Sequence, residues 1–356
     1  MAHKYNMAVF IGRFQPFHLG HLEVINHALE AAETLVVLVG SSGAPRNHRN
    51  PFTFDERRQM ILTCIPGHVR NRVLVKPLED AAYNDSKWIH DVQTQVMRSA
   101  WEFGYTNEPT TTLIGHSKDS SSYYLNIFPQ WSSTEVDNFR ELDSTRVRNA
   151  YFSNIGEMWV NDADGHKPGD LDRDATVPRS VRDFLAEFIK TADYKLICEE
   201  YEFVAKYRLA WAAAPYAPTF VTVDAIVVQS GHVALVRRRA APGKGLWAMP
   251  GGFLNVGERI RDAVIRELRE ETGIKVPDKV LRGSIVAQDV FDDPNRSARG
   301  RTITHAFLIK LEDGPLPRIK GMDDADKAWW EPIANLKRED FFEDHLDIII
   351  SMLGRI

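Results

Sequence analysis

The stretch GGFLNVGERIRDAVIRELREETGI, residues 251–274, joins a glycine turn to a strongly acidic segment. We predict a helix over 258–272, because Gly273 is a residue type that ends helices. A solvated acidic helix face is the simplest alternative. It leaves the preceding run Ala248-Met249-Pro250-Gly251-Gly252 and the terminal glycine without a reason. The stretch therefore indicates a functional site and not only a solvent-exposed helix face.

Three carboxylates on this helix predict a metal site. Glu267, Glu270 and Glu271 are spaced so that they project from one helix face, about 5–6 Å from each other. Crowded carboxylates repel each other unless a hard cation neutralises them, and Mg²⁺ prefers oxygen ligands. We therefore expect these three residues, with the carbonyl of Gly251, to bind Mg²⁺ or alternatively Mn²⁺. We expect Arg266 to orient a carboxylate.

The complete pattern resembles a known hydrolase signature. The Nudix box is matched by Gly252-x5-Glu258-x7-Arg266-Glu267-Leu268-x-Glu270-Glu271-x-Gly273-Ile274. The resemblance covers roughly residues 218–350. It implies an enzyme in which metal-activated water attacks a diphosphate.

Two segments further along the chain narrow the implied substrate. Phe291-Asp292-Asp293-Pro294-Asn295-Arg296 with Arg299-Gly300-Arg301 resembles the ADP-ribose pyrophosphatases that are fused to nicotinamide mononucleotide (NMN) adenylyltransferases. The resemblance implies hydrolysis of ADP-ribose to AMP and ribose 5-phosphate, with Arg296 and Arg301 in contact with the substrate. Another nucleoside diphosphate derivative is the alternative substrate.

Further polar residues are candidates for this site. Asp323, Asp324 and Asp326 lie in a loop, and loops supply the general base in this family. An ordinary polar turn explains them equally well, since turns favour Asp. The run Arg237-Arg238-Arg239 is a candidate for phosphate contact, although strand alternation turns one of its side chains away from the others.

The surrounding pattern predicts a C-terminal α/β/α Nudix domain with a mixed sheet. Two strands separated by a turn at 229–232 indicate an antiparallel hairpin. We predict strands over 220–228, 233–237, 284–288 and 302–311, and a final helix over 340–353.

The first half of the chain has a different pattern, in which short apolar runs alternate with helical segments. We predict strands over 7–11, 35–39, 73–75 and 112–114, and helices over 20–32, 55–64 and 86–101. This alternation indicates a doubly wound parallel sheet with helices on both faces. Ligands bind beyond the carboxyl ends of such strands, where Gly12 and Gly40 lie.

The segment Gly12-Arg13-Phe14-Gln15-Pro16-Phe17-His18-Leu19-Gly20-His21 lies at the first strand-to-helix junction. A helix N-terminus offers N–H groups and partial positive charge to a phosphate. His18 and His21 lie near the first helical turn, and Arg13 adds a fork of donors. The alternative is that the two histidines only cap the helix or pack in the core. The preceding strand favours phosphate binding.

This segment resembles the nucleotidyltransferase signature, and more narrowly that of archaeal-type NMN adenylyltransferases. Three further stretches carry the resemblance over roughly residues 5–190. These are Asn50-Pro51-Phe52-Thr53 with Glu56-Arg57, the pair Asn84 and Trp88 of a nicotinamide pocket, and Leu142-Asp143-Ser144-Thr145-Arg146-Val147-Arg148. Asp143 replaces a serine of the family pattern. For Asn84 and Trp88, helix capping and packing is the alternative role.

The resemblance implies transfer of AMP from ATP to NMN, giving NAD and pyrophosphate. The phosphate of NMN is already an anion, so catalysis reduces to positioning and charge stabilisation. Nicotinate mononucleotide or a phospho-alcohol is the alternative acceptor. Mg²⁺ accompanies the β- and γ-phosphates of the substrate ATP. The implied catalytic residues are Arg13, His18, His21 and Arg148, and the implied substrate-binding residues are Gly12, Phe14, Arg57, Asn84, Trp88, Ser144 and Thr145.

Length and composition set the remaining expectations. With 356 residues we expect two domains, over 1–190 and 218–356, joined by a helical linker at 191–217. A net charge of −5 argues against a nucleic-acid partner. Cys64 and Cys198 predict reduced thiols, and no signal peptide or membrane-spanning run is expected, so we predict a cytoplasmic protein. An Asp-rich stretch at 161–174 is predicted to be a solvated loop. The oligomeric state stays open, a homo-oligomer included.

A non-catalytic regulator is the competing class, because some transcription factors use Nudix-like domains to sense ADP-ribose derivatives. Those proteins carry a winged helix after the Nudix domain, which we do not expect here because the sequence stops at Ile356. They also tend to lose box carboxylates, and all three are present. The sequence therefore favours a bifunctional enzyme acting on NMN, ATP, NAD and ADP-ribose.

Overall fold

The computed structural model describes residues 3–116, 125, 127–153 and 176–355. The chain divides into two compact units, Met1–Glu199 and Glu200–Ile356. The Asp-rich stretch at 161–174 lies outside the described residues. The division falls inside one helix, Ala192–Ala210, so the domain limits expected at 190 and 218 stay predictions.

The N-terminal unit contains a parallel sheet. Its strands are β1 (Tyr5–Gly12), β2 (Ala32–Val39), β3 (Val73–Pro77), β4 (Thr111–Gly115) and β5 (Ser132–Glu135), in the order β3-β2-β1-β4-β5. Val9 pairs with Val36 on one side and with Leu113 on the other. The chain leaves β1 first to one side and later to the other, which confirms the predicted doubly wound sheet.

Helices connect these strands. They are α1 (Leu19–Ala31), α2 (Phe54–Cys64), α3 (Asp85–Glu102), α4 (Ser144–Phe152), α5 (Arg179–Phe188) and α6 (Ala192–Ala210), the last of which continues beyond the unit. The central strands are apolar because they are covered on both faces. Met7, Val9 and Val36 are fully buried in one core cluster with Val92 and Val96 of α3. This core places the carboxyl end of β1 beside the start of α1.

The C-terminal unit contains a mixed sheet. Its strands are β6 (Phe220–Gln229), β7 (His232–Arg238), β8 (Trp247–Ala248), β9 (Gly251–Phe253), β10 (Ile285–Phe291), β11 (Thr302–Lys310) and β12 (Ala325–Pro332). The main path is β10-β11-β6-β7-β12, with β8 on β7 and β9 on β6. β6 and β11 run parallel, whereas β6 and β7 form the predicted hairpin. The predicted mixed sheet is therefore confirmed.

The helices of this unit are α7 (Ile260–Thr272), α8 (Asp278–Gly283) and α9 (His345–Leu353). α7 packs its apolar face on β6, where Val264 and Leu268 share a core cluster with Val223 and Ala225. Burying that face leaves the carboxylates of α7 facing β9 and the surrounding loops. The acidic side of the helix is thereby fixed relative to the sheet.

Two helices start later than predicted, by two and by five residues. α7 begins at Ile260, because Gly257 has φ +81° and Arg259 is extended. α9 begins at His345, because the chain first passes through a short 3₁₀ turn and Glu343 has φ +44°. α5 directly follows Pro178, which is its N-cap residue. The strands β5, β8, β9 and β12 and the helix α8 were not predicted. Within the described residues, no helix has both the length and the hydropathy needed to cross a membrane.

Candidate active sites

The loop after β1 is shaped by close packing between Gly12 and Phe14. Phe14 has φ +52°, a backbone conformation that side chains rarely adopt. A Cβ on Gly12 would lie 2.8 Å from Cζ of the Phe14 ring, so only glycine fits at this strand end. The ring in turn contacts the imidazole of His21 edge-on at 4.8 Å. Strand end, loop and helix start are thus packed together.

His18 and His21 form a reciprocal cap on α1. The backbone N–H of His21 donates to Nδ1 of His18 at 3.4 Å, and the N–H of His18 donates to Nδ1 of His21 at 3.2 Å. The two rings stack with their centroids 3.6 Å apart. A neutral imidazole whose Nδ1 accepts carries its proton on Nε2. Capping therefore sets both rings as Nε2–H donors at a helix N-terminus, so the capping and phosphate-binding roles are compatible.

Two arginines place positive charge beside this helix start. Arg148, on α4, donates to the carbonyl of Gln15 at 2.7 Å and to Oγ1 of Thr145 at 3.1 Å. Burial and, to a smaller extent, the charge of the exposed Arg13 lower the pKa of Arg148 to about 10. Two guanidinium groups that repel each other across a loop are stabilised by an anion between them.

Arg57 has a different place from the one expected. Its side chain is only 1% exposed and donates to the carbonyls of Arg13, Gly40 and Ser41 at 2.7–3.1 Å. It thus holds together the two loops at the strand ends. Among the described residues, the hydrogen bonds of Arg57 all go to main-chain carbonyls, so we correct its role from substrate contact to positioning of the loops.

The segment around Asp143 ties α4 to the same loop. The Asp143 carboxylate caps α4, accepting from the N–H groups of Thr145 at 2.7 Å and Arg146 at 3.0 Å. Ser144 donates to the carbonyl of Pro16 at 3.3 Å. The departure from the family serine therefore supplies a strong helix cap.

Gln15 is a connecting residue that the sequence did not reveal. Its amide donates to the carbonyl of Phe52 at 2.8 Å and accepts from the N–H of Phe52 at 3.0 Å. Thr53 then caps α2 in a capping box with Glu56. This bond pair joins the two sequence motifs that the resemblance treated separately.

Asn84 and Trp88 are found as a cap and a packed side chain. Asn84 caps α3 by accepting from the N–H of Lys87 at 3.0 Å. Trp88 is partly buried, with its ring 6.2 Å from that of Phe128. The contacts of Asn84 and Trp88 within the protein are therefore those of helix capping and packing. Their role in a nicotinamide pocket stays a prediction.

In the C-terminal unit, glycines bring two box carboxylates against β9. The Gly251 N–H donates to Oε2 of Glu271 at 3.0 Å. A Cβ on Gly252 would lie 2.5 Å from Oε1 of Glu267. The bare Cα of Gly252 therefore lets the Glu267 carboxylate approach the strand, and the backbone N–H of Gly251 holds Glu271.

Arg266 gathers three carboxylates, one that precedes α7 and two that lie on it. It donates to both oxygens of Glu258 at 2.8 and 2.9 Å, to Glu267 at 2.8 Å and to Glu270 at 2.7 Å. Glu270 is accordingly turned toward Arg266. In the part of the chain that the structure describes, no three His, Cys, Asp or Glu side chains are grouped as a metal site requires. The expected trio thus shares a helix face without converging on one point.

The electrostatics of the pocket nevertheless favour a bound cation. Burial, with the nearby carboxylates of Glu267 and Asp224, raises the pKa of Glu271 to about 8, although the Gly251 N–H and the charge of Arg238 act in the opposite direction. Burial also raises the pKa of Glu267, with Asp323 adding to the effect. These oxygens are a donor set that fits a hard divalent ion.

Asp224 is a buried acid that the sequence analysis missed. It accepts a hydrogen bond from the Thr304 hydroxyl, and it lines the same pocket as Glu267 and Glu271. Burial raises its pKa, which Arg296 opposes. The sequence signal that could have identified Asp224 is its position as a lone carboxylate inside the apolar strand β6.

The remaining predicted residues divide into those inside the pocket and those outside it. Asp323, which has φ +47°, and Asp324 line the pocket, a cavity of about 480 Å³. Asp326 instead pairs with Arg237.

The two arginines expected to contact substrate also differ. Arg296 lines the pocket in a buried bidentate pair with Asp344, at 2.9 and 3.0 Å. Arg301 donates to the carbonyl of Asp292 and lines a separate groove with Trp211. The structure therefore does not bring Arg301 to the predicted site.

Comparison with known proteins assigns both halves. The NUDIX domain model matches residues 218–351, and the Cytidylyltransferase-like model matches residues 9–115. A nicotinamide/nicotinic acid mononucleotide adenylyltransferase of Acinetobacter baylyi is 38% identical over 42% of this chain and 77% of its own length. An ADP-ribose pyrophosphatase of Methanocaldococcus jannaschii is 37% identical over 40% of this chain and 75% of its own length.

One solved structure matches both units together. It is a bifunctional NMN adenylyltransferase/ADP-ribose pyrophosphatase of Francisella tularensis, complexed with AMP and a manganese ion. It is 35% identical, covers 99% of each chain, and superposes with a TM-score of 0.87. With matching motifs at both sites, the chain belongs to the family of bifunctional NMN adenylyltransferase/ADP-ribose pyrophosphatases.

Proposed function

We propose that the N-terminal unit transfers AMP from ATP to NMN, giving NAD and pyrophosphate, and that the C-terminal unit hydrolyses ADP-ribose to AMP and ribose 5-phosphate. For the first reaction the carrying observation is the reciprocal cap of His18 and His21, which sets two Nε2–H donors at the start of α1. For the second it is the placement of Glu267 and Glu271 against the box glycines. The first site then offers positive charge to the triphosphate, and the second offers ligands for a cation that would bind the diphosphate.

In the first reaction, the NMN phosphate oxygen attacks the α-phosphorus of ATP, and the bond from that phosphorus to the β-phosphate oxygen breaks. The nucleophile needs no proton removed, so the residues act through position and charge. His18 and His21 donate to the ATP phosphates, and Arg13 and Arg148 neutralise developing charge. Mg²⁺ arrives with ATP on the β- and γ-phosphates.

The other N-terminal residues shape the cleft for the two substrates. Gly12 and Phe14 let the backbone approach the nucleotide, and Ser144 and Thr145 present the start of α4 to the triphosphate. Asn84 and Trp88 receive the nicotinamide ring, which we place over the exposed part of the indole. Their cap and packing contacts hold both residues in position for this contact.

In the second reaction, Glu267 and Glu271 would hold a divalent cation, with Glu270 released from Arg266 and the Gly251 carbonyl as further ligands. When bound, the cation withdraws charge from the diphosphate and makes water more acidic. We propose Mg²⁺ as the physiological ion, with Mn²⁺ as a substitute. Arg266 orients Glu258 and Glu267 throughout.

The proton of the attacking water needs an acceptor. Asp323 and Asp324 lie in the loop that faces the box carboxylates, and we assign the general base to this pair. Water attack and breakage of the phosphorus–oxygen bond within the diphosphate give AMP and ribose 5-phosphate.

The deciding experiment presents each half with its substrates. Incubation with NMN, ATP and Mg²⁺ should yield NAD and pyrophosphate, and incubation with ADP-ribose and Mg²⁺ should yield AMP and ribose 5-phosphate. Chromatography identifies all four products. Nicotinate mononucleotide is run in parallel, because one relative is named for both mononucleotides. Absence of either product pair would refute the corresponding half of the proposal.

The cellular setting follows from these substrates. ATP use and two free cysteines, Cys64 and Cys198, support a cytoplasmic location. A net charge of −5 supports small nucleotides, and not nucleic acids, as the partners.

A further inference from the structure

The C-terminal pocket contains two arginines that are stacked on phenyl rings. Cζ of Arg238 lies 4.1 Å from the ring centroid of Phe342, and Cζ of Arg299 lies 5.0 Å from that of Phe253. All four side chains line the cavity that contains Glu267 and Glu271. The arrangement therefore occurs twice around one site.

The contacts of these two guanidinium groups leave them without a carboxylate partner among the described residues. Arg238 donates from Nε to the carbonyl of Pro242, and Nε of Arg299 is buried with no hydrogen-bond partner among the residues that the structure describes. Among the described residues, neither side chain forms an ion pair with a carboxylate. The buried Glu343 attracts both electrostatically, and Glu271 and Asp324 attract Arg238. The hydrogen bond of Glu343 comes from the N–H of Ala298. A ring orients a guanidinium without neutralising it.

Other arginines around the pocket are already engaged. Arg296 forms its bidentate pair with Asp344, and Arg266 binds the carboxylates of α7. Burial lowers the pKa of Arg238, and the nearby charge of Arg299 lowers it further. Two cations that repel each other in a partly buried cavity are stabilised by an anion that bridges them.

The position of the Arg299–Phe253 stack indicates which anionic group of the substrate would bind there. Phe253 directly follows Gly252, against which Glu267 lies. The Arg299 stack is therefore adjacent to the carboxylates at which the proposed cation would bind. A diphosphate has oxygens for both the cation and a planar guanidinium fork.

We propose that Arg238 and Arg299 bind the diphosphate of the substrate, and that Phe342 and Phe253 are positioning residues that hold these arginines without neutralising them. The inference rests on the proposed cleavage of a nucleoside diphosphate derivative in this pocket. It assigns substrate contact to Arg238 and Arg299 in place of Arg301.

The test compares Arg299→Gln and Arg238→Gln with the matched control Arg301→Gln. Steady-state kinetics with ADP-ribose at saturating Mg²⁺ should show KM raised about 10–100-fold by each of the first two, with kcat falling less. The control should stay within about twofold of the parent protein. If Arg299→Gln stays within the same range as the control, the assignment is overturned.

Further variants test the stacking role. Phe253→Leu keeps an apolar side chain but removes the ring, so KM should rise about 3–10-fold. The same change in an Arg299→Gln background should add nothing, because the ring acts through the arginine. Independent, multiplying effects would contradict the positioning role. NAD synthesis and thermal unfolding are measured on each preparation to check that it is folded.

If Arg238→Gln does not fold, Arg238→Lys replaces it. Lysine keeps the positive charge but lacks the planar fork of donors, so KM should still rise about tenfold. An unchanged KM in that variant would overturn the role of Arg238.

Failure of the inference and failure of the proposed function give different results. If the parent protein does not hydrolyse ADP-ribose, the proposed function fails. Calorimetry with inorganic pyrophosphate and Mg²⁺ then tests the arginines alone. Weaker binding by Arg299→Gln than by Arg301→Gln supports the inference, and equal binding overturns it.

Discussion

In the N-terminal site, N–H groups and positive side chains converge on the start of α1, whereas in the C-terminal site, carboxylates lie along the side of α7. The first arrangement uses a helix end, where His18 and His21 replace missing helical hydrogen bonds. The second uses a helix flank, where Arg266 and the glycines of β9 hold Glu258, Glu267 and Glu271. The comparison shows that a helix end suits an anionic substrate, while a flank gathers several side chains for a cation.

The two sites also differ in how their charges are balanced. Glu56, beside the N-terminal site, is half-buried, but its pair with Arg46 outweighs the burial and lowers its pKa. Among the described residues Glu271 forms no ion pair, and although the charge of Arg238 opposes the shift, its pKa is raised to about 8. The N-terminal acid is thus satisfied within the protein, and the C-terminal acid is left for a ligand.

The largest expected effect separates the two activities. Glu271→Gln removes a charged ligand and should lower ADP-ribose hydrolysis by about 10³-fold or more. NAD synthesis in the same preparation should be unchanged, since the substitution lies in the other unit. Parallel product assays measure both rates. Full hydrolysis by this variant would refute the metal assignment.

The reverse separation comes from His18. His18→Ala should lower NAD synthesis by about 10²–10³-fold, as loss of a charge-stabilising donor does, while hydrolysis of ADP-ribose persists. His18→Asn is the matched control, because Asn still caps the helix but has no Nε2–H at that position. We expect it to restore the unfolding temperature but not the rate. A near-normal rate in either variant would end the assignment.

A single methyl group tests the glycine contact in the second site. The Cβ of Gly252→Ala would push the flexible Glu267 carboxylate aside, so hydrolysis should fall about tenfold while the fold survives. Gly283→Ala is the control, since a Cβ there meets nothing within 4 Å. Kinetic assays at saturating Mg²⁺ measure both. Equal rates for the two variants would show that the contact is unimportant.

The smallest expected effect is a pH dependence of stability in metal-free protein. An unfolded Glu271 loses its proton near 4.5 and the folded one near 8, so stability is lost as pH rises between these values. With EDTA, calorimetry should show the C-terminal unfolding temperature falling by about 5 °C from pH 5 to pH 8. The pKa of Glu56 is lowered, so its contribution to stability is lost as the pH falls below its ordinary pKa. Acid should therefore destabilise the N-terminal unit. Glu271→Gln should flatten the slope, and an unchanged slope would contradict the shifted pKa.

Much of the fold was predictable because its signals are local. The strands around Val9 and Val36 are continuous apolar runs, and the hairpin at β6 and β7 has a turn of two residues between them. The short strands β8 and β9 gave no pattern of their own. They exist because β6 and β7 offer unpaired edges to them, which is a tertiary condition.

Helix starts were less predictable than helix bodies, because they depend on single dihedral angles. Glu343 at φ +44° delays α9, and no residue type announces that conformation in advance. Helix caps could be predicted only in part from the sequence. Asp143 looked like a departure from the family pattern, yet it caps α4.

By itself the sequence determined the two kinds of chemistry, since both depend on residues close together in the chain. The spacing of Glu267, Glu270 and Glu271 and the run from Gly12 to His21 are set by helix and turn geometry, which a local stretch contains. Tertiary structure alone decided which charges are already paired. Arg296 meets Asp344 and Arg57 meets distant carbonyls, whereas Arg238 and Arg299 meet phenyl rings. A guanidinium is available to a ligand only if folding brings no carboxylate to it, and that depends on residues far apart in sequence.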